Sequence, residues 1–380
     1  MRNLGIRLFC FLACFLSVTV NAANLAQCKQ HQCLAVVDAG STGSRLHIYS
    51  YDLDETKTAI NINELWSKKV KPGLATLEAN QTSINTYLSS LFSNVPEDNL
   101  SVYFYSTAGM RLLPQPKQKQ IYNLIQSWFS SQSRWQLLSA KTITGNDEGL
   151  YGWLAVNYKL GTLKSNNTSI GVMDMGGASV QVVLPVKNME GNTDVKQFEL
   201  YGRPIQLFIH SFLGLGQTEV THQFLDTDSC FSEEYVLPKG TNAKGDAYAC
   251  AREVSNLMNA VHRVNHIVQP VIEANPVTNW FVMGGMAELA QTKPFQFSNY
   301  QYTNQALIEQ ANSQVCQQSW SNLNQKYPNN EYLYGYCLFP AYYYALMVDG
   351  YGLQPQQTVN YIPSNQGNDW TLGVVLHRLG

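Results

Sequence analysis

The sequence predicts an α/β protein of about two domains, and three observations carry that expectation. The chain has 380 residues, more than one small core needs. Two segments repeat one strand–turn–strand pattern, with their aspartates 174 − 38 = 136 residues apart. Around them, short strand-like runs alternate with stretches whose apolar residues recur at helical spacing.

Composition sets the class. Apolar residues make up 45% and charged residues 14%, which fits a packed globular chain and not a disordered one. Lysine and arginine number 25 against 27 acidic residues, so no basic face is available for nucleic acid.

The N-terminus reads as a secretory signal over residues 1–22. Arg2 and Arg7 precede an apolar run from Leu8 to Val20, and small residues follow at Ala22 and Ala23. The run is too short for a comfortable membrane span, and no later one exists, so a secreted or periplasmic protein without a transmembrane anchor is expected. Removing the signal removes Cys10 and Cys14 and leaves six cysteines. They form three local pairs, and local closure in an exported chain predicts Cys28–Cys33, Cys230–Cys250 and Cys316–Cys337.

The repeat carries the functional argument. The first copy runs from Leu34 to Tyr49 and the second from Ile170 to Leu184. Each is an apolar strand that ends on an aspartate, Asp38 or Asp174, then a turn of small residues, then an alternating strand. Glycine lets the backbone approach a ligand, and consecutive N–H groups form an anion nest. Ser41 and Thr42 add hydroxyl donors. A carboxylate tolerates phosphate only with a divalent cation between them, and Mg²⁺ takes one or two carboxylates, waters and phosphate oxygens. Two facing copies therefore suit a metal–phosphate chelate. No GxxxxGK[ST] loop occurs, and both turns lead into strands, so neither a P-loop nor a dinucleotide fold is expected.

The rest is read in chain order. Val102 to Tyr105 reads as a strand running into Ser106-Thr107-Ala108-Gly109-Met110-Arg111, where Arg111 suits a carboxylate or a phosphate. A helix follows over Lys119–Phe129, then a strand from Leu137 to Ile143. The next helix covers Gly145 to Tyr158, capped by Asn146 or Asp147, with Glu148 in its first turn. Glu148 is either a dipole-stabilised carboxylate or a general base on a rigid helix start. Trp280 to Met286 reads as a strand ending in a glycine pair. Tyr332 to Tyr344 is rich in aromatics, some for the core and one able to stack on a base. His262 and His266 share a helical spacing, but without an HExxH pattern they are not read as a zinc pair.

Together these residues resemble the ecto-nucleoside triphosphate diphosphohydrolases, or ecto-apyrases, in particular a soluble bacterial member. Five signature regions occur in the family's order: Val37–Arg45, Ser106–Arg111, Gly145–Asn157, Asp174–Gln181 and Asp369–Gly373. The resemblance implies an actin/hexokinase-like (RNase H-like) α/β fold of two lobes with the active site in the cleft between them. The implied division is lobe I over 23–144 plus 361–380 and lobe II over 145–360.

The implied activity is removal of terminal phosphates from nucleoside tri- and diphosphates, with Mg²⁺ or Ca²⁺ bound largely through water. Glu148 is implied as the base, with Ser179 and Gln181 positioning the attacking water. Ser41, Thr42, Gly43, Thr107, Ala108, Gly176, Gly177 and Ala178 are implied as phosphate holders. Asp38 and Asp174, with Trp370, would form the metal site, and Tyr342 would stack on the base. The expected partners are nucleotides only, on a monomer. Residues 188–244 and 291–324 follow no signature, which leaves base preference open. The competing expectations are a polyphosphate phosphatase, which needs no nucleoside pocket, and a nucleotide-binding module without turnover.

Overall fold

A computed structural model describes residues 28, 31–164, 169–187, 189, 191–363, 366–367 and 369–379; the expected signal segment lies outside them. The first lobe is built on five strands: β1 (Gln32–Ala39), β2 (Ser44–Leu53), β3 (Ala59–Val70), β4 (Leu100–Ser106) and β5 (Trp135–Thr142). Its helices are α1 (Gln81–Leu91), the short α2 (Ala108–Arg111) and α3 (Gln115–Ser130). Helix α4 (Gly145–Lys159) leads to the second sheet, built from β6 (Ile170–Met175), β7 (Ser179–Pro185), β8 (Val195–Leu200), β9 (Arg203–Leu213), β10 (Asn279–Gly284), β11 (Gln301–Thr303) and β12 (Thr358–Tyr361). Helices α5 (Gln217–Phe224), α6 (Ala247–Val261), α7 (Val264–Ala274), α8 (Gly285–Gln291) and α9 (Leu338–Ala345) belong to that half, and α10 (Thr371–Arg378) ends the chain.

The two sheets repeat one topology. The first has the order β3-β2-β1-β4-β5, the second β11-β12-β10-β6-β7-β9-β8. In each, a central strand pairs antiparallel with the next strand (β1 with β2, β6 with β7) and parallel on its other side (β1 with β4, β6 with β10). Strands β9-β7-β6-β10-β12 thus match β3-β2-β1-β4-β5, and β8 and β11 are additions at the edges.

Strand alternation then aims the aspartates. Along β1, Ala35, Val37 and Ala39 pack with α1 and α3 on the outer side, while Leu34 and Val36 pack into a middle core. Along β6, Met173 and Met175 face the outer core of the second lobe, and Ile170 and Val172 face the same middle core. That core is filled by Trp153, Leu154 and Val156 of α4 and by Leu372, Val375 and Leu376 of α10. Asp38 and Asp174 stand in register with Val36 and Val172, so both strands deliver a carboxylate on the side turned to the opposite lobe.

Helix α10 lies against α4 and against β1, β2 and β3, and Ala59 N–H donates to the Leu379 carbonyl at 3.0 Å. The three expected cysteine pairs are disulfide-bonded: Cys28–Cys33, Cys230–Cys250 and Cys316–Cys337.

Some local expectations are corrected. Helix α4 is capped by Thr144, not Asn146 or Asp147: Thr144 Oγ1 accepts from Asp147 N–H, and the Asp147 carboxylate reaches back to Thr144 N–H. His262 and His266 do not share a helix, because Arg263 adopts φ 53° between α6 and α7. The strand at Trp280 ends on Gly284, and Met286 already belongs to α8. Among the described residues no helix is long and apolar enough to cross a membrane.

Candidate active site between the two hairpins

The turns of the two matched hairpins, Gly40–Gly43 and Gly176–Ala178, meet across a cleft of about 360 Å³. Their contact depends on small residues. A Cβ on Gly177 would run into Ser41 Oγ, and one on Gly73 would run into the Ser41 carbonyl. A Cβ on Gly109 would lie 2.8 Å from Ser41 Cα, so the first turn is held from behind by α2. The second turn is held by α5: Gln217 N–H donates to the Gly176 carbonyl at 2.9 Å and Thr218 N–H to the Gly177 carbonyl at 2.8 Å. Among the described residues, the amides of Ser41, Thr42, Gly177 and Ala178 donate to no backbone carbonyl. They are free to serve an anion in the cleft.

Thr107 and Ala108 complete this wall. Thr107 N–H donates to the Ala39 carbonyl at 3.2 Å, which ties the end of β4 to the end of β1. Both residues line the cleft.

Glu148 lies at the floor, 5% exposed. Its carboxylate is ion-paired with Arg111, so of the two partners open to that arginine the structure selects the carboxylate. Gln181 Nε2 donates to Glu148 Oε2 at 3.3 Å, to Ser179 Oγ at 2.7 Å and to Ser211 Oγ at 3.0 Å. Gln181 Oε1 is buried with no partner among the described residues, an acceptor left for a small polar molecule. Burial pushes the Glu148 carboxyl above its ordinary range, and the Arg111 charge pulls it back.

Asp38 and Asp174 both border the cleft. Burial first, and the charges of Glu148 and Asp369 second, raise Asp174 to about 8. Burial and the same two neighbours also raise Asp38 well above the carboxylate range. Asp38 Oδ1 is buried without a partner among the described residues. Such carboxylates suit a divalent cation, whose charge would offset the burial and the neighbouring charges that raise them. Among the described residues no three ligand side chains converge closely enough to hold a bare ion, so a hydrated one fits this donor set.

Trp370 is 5% exposed, stacks on Tyr151 at 6.1 Å and stands beside Asp174 across Gly152. The segment carrying it is clipped to β2. Thr371 donates to Asp369 Oδ1 from N–H at 2.9 Å and from its hydroxyl at 2.8 Å, and Thr371 shares a hydrogen bond with Tyr49 at 2.7 Å. His47 lies 3.3 Å from Asp369 Oδ2 and 2.9 Å from Glu64 Oε1. Burial lowers its imidazole, but the two carboxylates outweigh that and raise it to about 9. The His47 charge and the Thr371 bonds in turn overcome burial at Asp369 and hold it below the usual range.

Tyr342 does not reach the cleft. It is fully buried in the second lobe's outer core, its hydroxyl donating to the Leu215 carbonyl. Besides Trp370 and the His47 imidazole, the aromatic rings of the described residues that line the cleft are Tyr332, Tyr336 and Phe339, beside Glu288 and Thr292 of α8 and the turn after it. Sequence reading also passed over Ser211, Gln217 and Thr218. Their only linear signal was a Gly-rich turn at Gly214–Gly216 before a helix.

Two lobes of one repeated topology, with matched hairpins meeting across the cleft, make this an actin/hexokinase-like α/β fold. Among solved structures it is similar to a nucleoside triphosphate hydrolase of Neospora caninum, with a TM-score of 0.62 at 14% identity over 92% of each chain. The model of the GDA1/CD39 (nucleoside phosphatase) family matches residues 24–379, and the chain belongs to that family. Its relatives include the nucleoside-triphosphatase ntp-1 of Caenorhabditis elegans, 26% identical over 90% of this chain and 72% of that protein. The nucleoside-diphosphatase mig-23 of Caenorhabditis briggsae is 25% identical over 98% of this chain and 81% of its own.

Proposed function

We propose that this protein is an exported apyrase that hydrolyses the terminal phosphate of nucleoside triphosphates and diphosphates, leaving monophosphates. The observation that carries this is the convergence of two amide-bearing turns, a buried carboxylate and two further aspartates on one cleft. Relatives named as triphosphatase and diphosphatase support both substrate classes, and three disulfides support export.

In this reading the terminal phosphate lies between the two turns. Ser41, Thr42, Gly43, Thr107, Ala108, Gly176, Gly177 and Ala178 surround it, and their N–H and hydroxyl donors stabilise charge that grows on its oxygens. Ser179 and Gln181 orient a water for in-line attack on phosphorus. Glu148 takes the proton of that water, and Arg111 holds its carboxylate in place and ionised. The bond from phosphorus to the bridging oxygen breaks, and the shortened nucleotide leaves with the bond electrons. A divalent cation, Mg²⁺ or Ca²⁺, held through its water shell by Asp38 and Asp174 with Trp370 alongside, supplies neutralisation of phosphate charge when bound. Tyr332, Tyr336 and Phe339 flank the nucleoside.

The test is phosphate release from ATP, ADP and AMP with Mg²⁺, with Ca²⁺ and with EDTA, on the wild type and Glu148→Ala. Release from ATP and ADP but not AMP, abolished by EDTA and reduced about 10²-fold or more in the variant, is expected. Near-normal turnover by Glu148→Ala would remove the assigned base.

A further inference from the structure

The matched topology extends one strand past the hairpins, and there the two lobes differ. In the second lobe Asp174 is directly opposite Gln181, and Gln181 directly opposite Ser211, forming one rung across β6, β7 and β9. In the first lobe the equivalent rung across β1, β2 and β3 is Asp38, Arg45 and Lys69. The offsets agree, since 45 − 38 = 7 and 181 − 174 = 7. In the second lobe Gln181 and Ser211 are hydrogen-bonded to each other and, through Gln181, to Glu148. Equivalent positions in the first lobe carry two cations.

Arg45 and Lys69 face the cleft together. Lys68, one residue back, points to the other side and bonds to the Ser90 and Ser93 carbonyls. Like charges directly opposite on neighbouring strands destabilise a sheet. Among the described residues neither Arg45 nor Lys69 forms an ion pair. Glu331, an acidic group whose charge Lys69 feels, is bonded instead to Lys71 at 2.7 Å. The Lys69 side chain leans over the first turn: its Cε lies 3.3 Å from where a Cβ on Gly43 would be. Arg45 stands opposite Asp38 and its charge acts on that carboxylate, whereas Lys69 has no acidic partner in contact among the described residues, so the rung carries one cation in excess at the edge of the turn, which calls for an anion.

Resting on the hydrolase reading above, we propose that Arg45 and Lys69 form an anion-binding wall that grips the terminal phosphate during attack and holds inorganic phosphate after it. The wall complements the opposite rung. Gln181 and Ser211 serve the water side, and the cations of the first lobe serve the charge on the phosphoryl group. A guanidinium or ammonium placed there strengthens its hold as charge spreads over the equatorial oxygens.

The experiment uses full-length mature protein in three forms: wild type, Lys69→Met and Lys69→Arg. Binding of inorganic phosphate in the presence of Mg²⁺ is measured by titration calorimetry, beside kcat and KM for ATP and the melting temperature. Lys69→Met should weaken phosphate binding about 5-fold or more and lower kcat/KM about 10-fold, a loss of roughly 1.4 kcal/mol in transition-state binding. Its melting temperature should not fall, because one of two opposed like charges is gone. Lys69→Arg should restore both readouts. Unchanged phosphate affinity in Lys69→Met, no measurable phosphate binding by the wild type, or an arginine variant no better than the methionine one would overturn the wall. A wild type that binds phosphate through Lys69 yet releases none from any nucleotide would uphold the wall and overturn the hydrolase.

Discussion

Replacing Gly109 by alanine sets two physical effects against each other. Gly109 lies inside α2 with no left-handed backbone requirement, so helix propensity alone favours alanine there by about 1 kcal/mol. Packing opposes it. The new Cβ would be 2.8 Å from Ser41 Cα and 3.1 Å from Ser41 Cβ, against 3.4 Å for ordinary contact, a shortfall of 3.4 − 2.8 = 0.6 Å at backbone. Ser41 cannot retreat sideways, because its carbonyl already rests on Gly73, so it must move toward Gly177 and into the cleft. Overpacking of this kind costs about 1–3 kcal/mol. Misplacement by 1 Å costs about 10²-fold in rate, so 0.6 Å predicts a loss of about 10-fold in kcat/KM. Initial-rate phosphate release from ATP and a thermal melt measure both. A variant that melts higher and turns over normally would show that the first turn is not held from behind by α2, and the argument from contact would fail.

Three other outcomes follow from the same geometry. Arg111→Met leaves burial of Glu148 unopposed, so its carboxyl titrates higher; the base works when ionised, and the acid limb of the kcat/KM profile should therefore move to higher pH. An unmoved limb would separate Glu148 from that limb. Tyr332→Ala should weaken ATP binding by about 1 kcal/mol or more, seen as a raised KM, whereas Tyr342→Phe should leave KM unchanged because that ring is enclosed; the reverse pattern would return Tyr342 to the base. Replacing Cys230 and Cys250 by serine opens a loop with a sequence separation of 20 and should cost about 3 kcal/mol by melting, with kcat/KM within about twofold since neither residue borders the cleft. A large fall in kcat/KM would show that the outer core shapes the site.

What the sequence made legible was local. The two hairpins declared themselves because a strand period of two and a turn of glycines and hydroxyl residues are short-range patterns, although the strands expected to end on Asp38 and Asp174 each run one residue further, to Ala39 and Met175. Helix α4 was expected over Gly145–Tyr158 and runs over Gly145–Lys159. Its cap is readable too, as a threonine three residues before an aspartate, but Asn146 and Asp147, which also carry capping side chains, lie inside the helix. The break at Arg263 carries no glycine or proline to announce it. Tyr342 could not be placed from spacing, because burial is decided by Leu215, a residue far away in the chain. Lys69 reaches the cleft and Ser211 reaches Gln181 through register with strands that no motif marks, and register is a property of the folded sheet.

Six carboxylates of the described residues line one cleft, and the fold makes four of them, Asp38, Glu148, Asp174 and Asp369, different. Asp38 and Asp174 are pushed up by burial and by their acidic neighbours, so each gains most from an arriving cation. Asp369 is tied by His47 and Thr371 and held below the usual carboxylate range, a charge that raises the other two. Glu148 is raised by burial and, less, by the Asp369 charge, and it answers not to His47 but to Arg111, which pulls the carboxyl back down. Groups of one chemical type held apart in this way can divide metal binding from proton transfer. The division depends on where partners come from: His47 from β2, Thr371 from the last helix, Arg111 from α2. Each lies on a separate element, which is why the roles come from the folded cleft and not from the carboxylates themselves.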